Sequence, residues 1–166
     1  MEIFVYADAS GPVQGKAGAG FVLCPRLDYA ERPRVGVARF RAATSPQAEA
    51  IAIVQAARWA LDFVPANRVV VHSDCAPAVH IFGASGRQAA PPRGRLTMDW
   101  KWRLQLVAAL DALPADVVVK QVSRQAPALR IADLLSKAAR QPKAQPSFTG
   151  GTELQRRLRT LARHPA

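Results

Sequence analysis

Residues 69–77 read VVVHSDCAP, three consecutive valines running into a polar turn with Asp74 where a buried strand ends. Successive β-branched residues suit a strand covered on both faces. A carboxylate at the mouth of such a strand is costly to desolvate, and the chain has only 12 acidic residues among its 166. Asp74 therefore calls for a charged partner or a metal nearby. Its meaning depends on whether other carboxylates reach the same place.

Upstream, residues 2–8, EIFVYAD, are β-branched and aromatic and end in Asp8, the pattern of a central strand. The glycines of GKAGAGFVLCP then precede a second strand at about 18–25. The G-A-G at 18–20 is no dinucleotide loop, because such a loop opens a helix and this one opens a strand. VGVARFR alternates with period two and predicts a third strand over about 34–42. Three strands joined by short turns make an antiparallel meander.

At TSPQAEAIAIVQAARWALDF the period becomes helical, with Ser45 as the capping residue and Pro46 at the first helical position, so a helix runs from 45 to about Phe63. After the Asp74 strand come a short helix over about 76–83 and a Gly/Pro/Arg loop, GASGRQAAPPRGR, at 83–95. A helix over about 97–113 presents Trp100, Leu104, Val107 and Leu110 along one face. DVVVKQVS, 116–123, is a fifth strand, and LRIADLLSKAAR gives a last helix over about 128–140. The composition predicts an α/β fold, a mixed sheet flanked by helices, with strands one, four and five at its centre. Residues 1–140 are expected to form one catalytic domain, and 141–166 a basic linker, QPKAQPSFTGG, followed by a C-terminal helix or tail, TELQRRLRTLAR.

If strands one and four are adjacent and parallel, Asp8 and Asp74 emerge together at the carboxyl edge, where open α/β sheets place their sites. Glu49 lies one turn into the first long helix on a face otherwise made of alanine and isoleucine, and Asp133 sits among Ile131, Ala132, Leu134 and Leu135. Each acid alone has an ordinary explanation as a turn or helix-start residue. Four acids in one cleft would raise one another's pKa values unless cations neutralised them. An oxygen-only ligand set favours Mg²⁺ or Mn²⁺ over zinc. Two such ions can hold a phosphodiester, activate water and stabilise the leaving oxygen.

Composition points the same way. The net charge is +11, from 18 Arg and 5 Lys against the 12 acids, and the pI is ≈ 11.0. The planar fork of arginine matches phosphate oxygens, although codon bias toward Arg and Ala would give the same count. Cys24 and Cys75 are far apart and in no CxxC spacing, which argues against a disulfide framework or a zinc site. No apolar run approaches the roughly 18 residues of a membrane span, and a cytoplasmic protein with no membrane partner is expected. Nothing indicates an obligate protein partner.

The set of motifs resembles the ribonuclease H family. YADAS at 6–10 looks like its first-strand motif, TSPQAEAIAIVQAARWAL at 44–61 like its glutamate helix, VVVHSDC at 69–75 like its third acidic strand end, and RIADLLSKAAR at 130–140 like its closing helix. The resemblance implies a five-stranded mixed sheet, an antiparallel three-strand meander plus parallel strands, and metal-dependent hydrolysis of the RNA strand of an RNA:DNA hybrid. By position, Asp8 would bridge two ions, Asp133 would complete the ion that activates water, and Glu49 with Asp74 would hold the ion at the leaving group. Thr44 falls where the family binds a DNA phosphate, and Gly11 and Gln47 lie near positions that read the 2′-hydroxyl.

Two departures stand out. The loop SRQAPAL, 123–129, lacks the histidine that many members carry there and holds Arg124 instead, which cannot act as a base. Cys75 replaces the family's serine after the third acid. Further nucleic-acid contacts are expected from Arg87, Arg93 and Arg95, from Trp102 as a surface stacking residue, and from the tail arginines 156, 157, 159 and 163. A binding module with weak or lost turnover, or another nuclease of the same fold such as a junction resolvase or strand-transfer enzyme, are the alternatives.

Overall fold

The computed structural model describes residues 1–24, 33–83, 86 and 98–141. Five strands, β1 (Glu2–Val13), β2 (Lys16–Cys24), β3 (Arg34–Arg41), β4 (Arg68–Ser73) and β5 (Asp116–Gln121), form one sheet in the order β3-β2-β1-β4-β5. The first three pair antiparallel, and β4 is parallel to both β1 and β5. The described helices are α1 (Ser45–Phe63), α2 (Ala76–Phe82), α3 (Met98–Asp111) and α4 (Pro127–Arg140). The mixed sheet and its meander are as the sequence predicts. The placement of β5 is a correction: it lies at an edge, none of its residues is fully buried, and Val117 and Val119 pack on the core from one face only.

One register relation positions the site. The parallel ladder between β1 and β4 ends at Tyr6 opposite His72, so Asp8 and Asp74, each two residues further on, stand level. β1 does not stop at Asp8 but continues to Val13 against β2, with a bulge between Ser10 and Val13. Asp8 is thus held inside a strand whose parallel neighbour has already ended.

Helix α1 packs against β1 and β4 through Ala50, Ala52, Ile53, Ala56, Ala57 and Ala60, all buried, over Ile3, Val5, Val69 and Val71. The run of alanines keeps this helix close to the sheet. Its N-cap is Thr44, whose Oγ1 accepts from the Gln47 amide at 3.3 Å, while Gln47 Oε1 accepts from the Ala43 amide at 2.6 Å. The Thr44 cap corrects the expectation that Ser45 caps the helix. A second correction concerns α3. Trp102, Leu106, Val107, Ala109 and Leu110 face the core, whereas Leu104 is 46% exposed, so the stripe expected through Trp100 and Leu104 is rotated.

The opposite face of the sheet receives α4, whose Ala128, Ile131, Ala132 and Leu135 pack on Val22. This contact is close because β2 carries glycine where the helix crosses. A Cβ at Gly20 would meet the Ala132 carbonyl, Leu135 Cβ at 2.6 Å and the Ser136 nitrogen at 2.8 Å; one at Gly18 would meet the Ser136 carbonyl and the Arg140 nitrogen. Among the described residues, no helix is long and apolar enough to cross a membrane. The expected loop arginines 87, 93 and 95 and the tail helix lie outside the described residues.

Candidate metal centre

Asp8, Glu49 and Asp74 converge at the carboxyl edge of the sheet, each offering one oxygen within 4.8 Å of the others. β1 supplies Asp8, α1 supplies Glu49 from one turn into the helix, and Asp74 follows directly on β4. Asp8 and Glu49 are buried, at 4% and 8% exposure, which is unusual for carboxylates without a full charge partner. Among the described residues each accepts from one donor. The Ala9 amide donates to Glu49 Oε2 at 3.1 Å, and the Ser136 hydroxyl lies 2.8 Å from Asp8 Oδ2.

These contacts do not offset the cost of packing acids together. Burial pushes Glu49 up to about 9, with the Asp8 and Asp74 carboxylates adding to the effect. Burial likewise raises Asp8 to about 7 against the Ser136 hydrogen bond, with Asp133 and Asp74 raising it further. Clustered carboxylates with raised pKa values are a site in want of cationic charge. Their hard oxygen donors, with no histidine or thiolate among the three, fit Mg²⁺ or Mn²⁺.

The fourth acid stands apart from the triad. Asp133 lines the same open cleft, of about 500 Å³, but its Oδ2 takes an ion pair from Lys137 at 2.8 Å one turn on. Asp74 is likewise engaged, by Arg124 Nε at 2.8 Å. Arg124, Arg130 and Lys137 together give the cleft a basic rim around its acidic floor. Gly11 also lines the cleft; its φ of 109° demands glycine, and an added Cβ would approach the Lys16 carbonyl to 2.9 Å.

Other expected residues have structural work of their own. Thr44 and Gln47 close the start of α1. Trp102 is half-buried, one side against the core, with its indole N–H donating to Asp99 Oδ1 at 3.3 Å and Arg103 over its ring. His72 stacks between Phe4 and Tyr6 as a packed residue, and burial lowers its pKa. Cys75 precedes α2 beside the acids, its thiol pushed up by burial. Ser136 and Lys137 were not singled out by sequence as site residues. The available signal for Ser136 was a lone hydroxyl on the apolar face of the last helix, fully buried here.

No family model matches the chain, and no curated protein matches it. Solved structures do. RNase H1 from the halophilic archaeon Halobacterium salinarum NRC-1 is 22% identical, with 84% of this chain and 97% of that one covered at a TM-score of 0.63. LC11-RNase H1, solved in complex with an RNA/DNA hybrid, is 17% identical over 83% of this chain and 96% of its own, with a TM-score of 0.61. The N-terminal RNase H domain of a Mycobacterium tuberculosis protein is 21% identical over 83% and 92%, also at 0.61. The chain has the ribonuclease H-like fold.

Proposed function

We propose that this chain, with its ribonuclease H-like fold, is a ribonuclease H that hydrolyses the RNA strand of an RNA:DNA hybrid with two Mg²⁺ or Mn²⁺ ions, acting in the cytoplasm. The observation that carries the reading is the triad of Asp8, Glu49 and Asp74, gathered within 4.8 Å at the floor of an open cleft. Support comes from the likeness to LC11-RNase H1, whose structure holds an RNA/DNA hybrid, and from the net charge of +11.

Asp8, Glu49 and Asp74 would hold the metal, with Asp133, now paired with Lys137, as the further acid of the same cleft. Bound ions would supply neutralising charge on the phosphate and an activated water. The chain's own contribution is positioning. The Ala9 amide fixes Glu49, and Ser136 fixes Asp8, so two ligands are preorganised by donors that also join α1 and α4 to β1. Arg124, Arg130 and Lys137 at the rim are suited to phosphate oxygens, with Gly11, Thr44 and Gln47 as further contacts to the strands. The domain is 1–140, and the basic segment 141–166 adds nonspecific affinity.

Metal-dependent cleavage of a labelled hybrid tests this, with Mg²⁺, Mn²⁺ and EDTA arms and duplex DNA, four-way DNA and double-stranded RNA as competing substrates. Cleavage of a DNA-only substrate in preference to the hybrid would assign another nuclease of this fold. A second reading, a hybrid-binding module without turnover, is favoured by one observation: both Asp74 and Asp133 carry cationic side-chain partners. Hybrid binding with no metal-dependent product at high protein concentration would select it.

A further inference from the structure

Arg124 stands in the turn between β5 and α4, 50 residues from its partner in sequence, and its guanidinium Nε donates to Asp74 Oδ2 at 2.8 Å. The two members of this ion pair are unequally placed. The arginine side chain is 82% exposed and the aspartate side chain 11%. Asp74 is also the member of the triad not classed as buried, and its engaged oxygen belongs to the carboxylate that would bind a cation. A guanidinium and a divalent ion cannot both sit against that oxygen without severe repulsion.

We infer that Arg124 is a built-in counter-cation: it occupies Asp74 in the metal-free protein and swings off as the divalent ion enters, so that it sets the affinity of the centre for metal. The inference rests on the metal-binding reading above. The exchange is a side-chain rotation, because the backbone of the turn is pinned. Ser123 Oγ accepts from the Gln125 amide at 3.2 Å, and the Ser123 carbonyl accepts from the Ala126 amide at 2.9 Å. An arm this exposed loses little on leaving, so it acts as a placeholder and not a lock. Once released it remains anchored at the cleft rim with its donors free for a phosphate oxygen, which couples the arrival of metal to the readiness of the strand contact.

Arg130 provides the control. It lines the same cleft and has no acidic partner among the described residues, so Arg130→Gln removes the same charge without removing a competitor. Mn²⁺ binding to the full chain without nucleic acid, measured by calorimetry, should be tighter in Arg124→Gln than in wild type by roughly two- to fivefold. Arg130→Gln should gain clearly less. In parallel, the Arg124 Nε–H resonance of wild type should be protected from exchange in EDTA and lose that protection on saturation with Mg²⁺. Equal gains in the two variants, weaker binding in Arg124→Gln, or a resonance indifferent to Mg²⁺ would overturn the inference while leaving the metal centre intact. Absence of Mn²⁺ binding in wild type and both variants would instead overturn the metal reading itself.

Discussion

The Ser136 hydroxyl lies 2.8 Å from Asp8 Oδ2 and 2.9 Å from the carbonyl of Asp133, so a single buried side chain of α4 touches one member of the triad and the backbone of the fourth acid. Its one proton can serve only one of these acceptors at a time. With Asp8 ionised, as cation binding requires, the proton belongs to the carboxylate. Ser136→Ala should cost about 1–3 kcal/mol in unfolding free energy, because a buried acceptor loses its donor. It should lower kcat for hybrid cleavage more than it raises KM. Chemical denaturation and steady-state kinetics check both, and a variant unchanged in each would refute the positioning role.

The triad is expected to act as a unit. Asp8→Asn and Asp74→Asn should each reduce cleavage by roughly 100-fold or more while hybrid binding in a gel-shift assay persists. Asp133→Asn, outside the triad and already paired with Lys137, should lose less. Full activity in either of the first two would remove the mechanism.

Stability should depend on pH in a direction fixed by the raised carboxyls. In the metal-free fold Asp8 titrates at about 7 and Glu49 at about 9, from ordinary values of 3.8 and 4.5. The folded state therefore holds protons that the unfolded chain has released. The stability from these two groups is complete below the ordinary values and is lost as pH rises through the folded ones. In EDTA, the urea midpoint at about pH 8.5 should fall below that at about pH 5. Mn²⁺ should raise the midpoint more at the alkaline pH, because it binds the ionised triad. A midpoint independent of both pH and metal would contradict the account.

Hybrid binding should weaken steeply with salt, since rim and tail arginines displace counterions from phosphates. Arg130→Gln should make the slope of log affinity against log salt shallower by about one unit. Fluorescence anisotropy over a salt series measures it. A flat response in the wild-type chain would mean that the +11 charge serves another purpose.

Much of this was legible in the sequence where a pattern changes abruptly. The break from three valines to Ser73 and Asp74 marks the end of β4, and Pro46 fixes the start of α1 within a residue, whereas β1 runs on past Asp8 to Val13 because its pairing with β2 continues. Thr44 and Ser45 are both competent caps, and only the Gln47 amide contact decides between them. In α3 the apolar residues lie on all sides, Trp100, Trp102, Leu104, Leu106 and Val107 among them, so periodicity does not choose a face and packing does. The edge position of β5 was hidden because a run of valines reads the same whether one face or two are covered. Pairings such as Arg124 with Asp74 and Ser136 with Asp8 span 50 and 128 residues and exist only once the layers meet.

The bare backbone at Gly18 and Gly20 has a reach beyond β2. Those two positions set the gap between the sheet and α4, and through it how near Ser136 and Asp133 stand to Asp8. A methyl group introduced at Gly20 would leave every acid in the chain and still lever one wall of the cleft outward, at a cost of about 1–3 kcal/mol or more in stability. The geometry of the centre is thus gauged by two missing side chains, and a substitution far smaller than the loss of a carboxylate can pull the acids out of register.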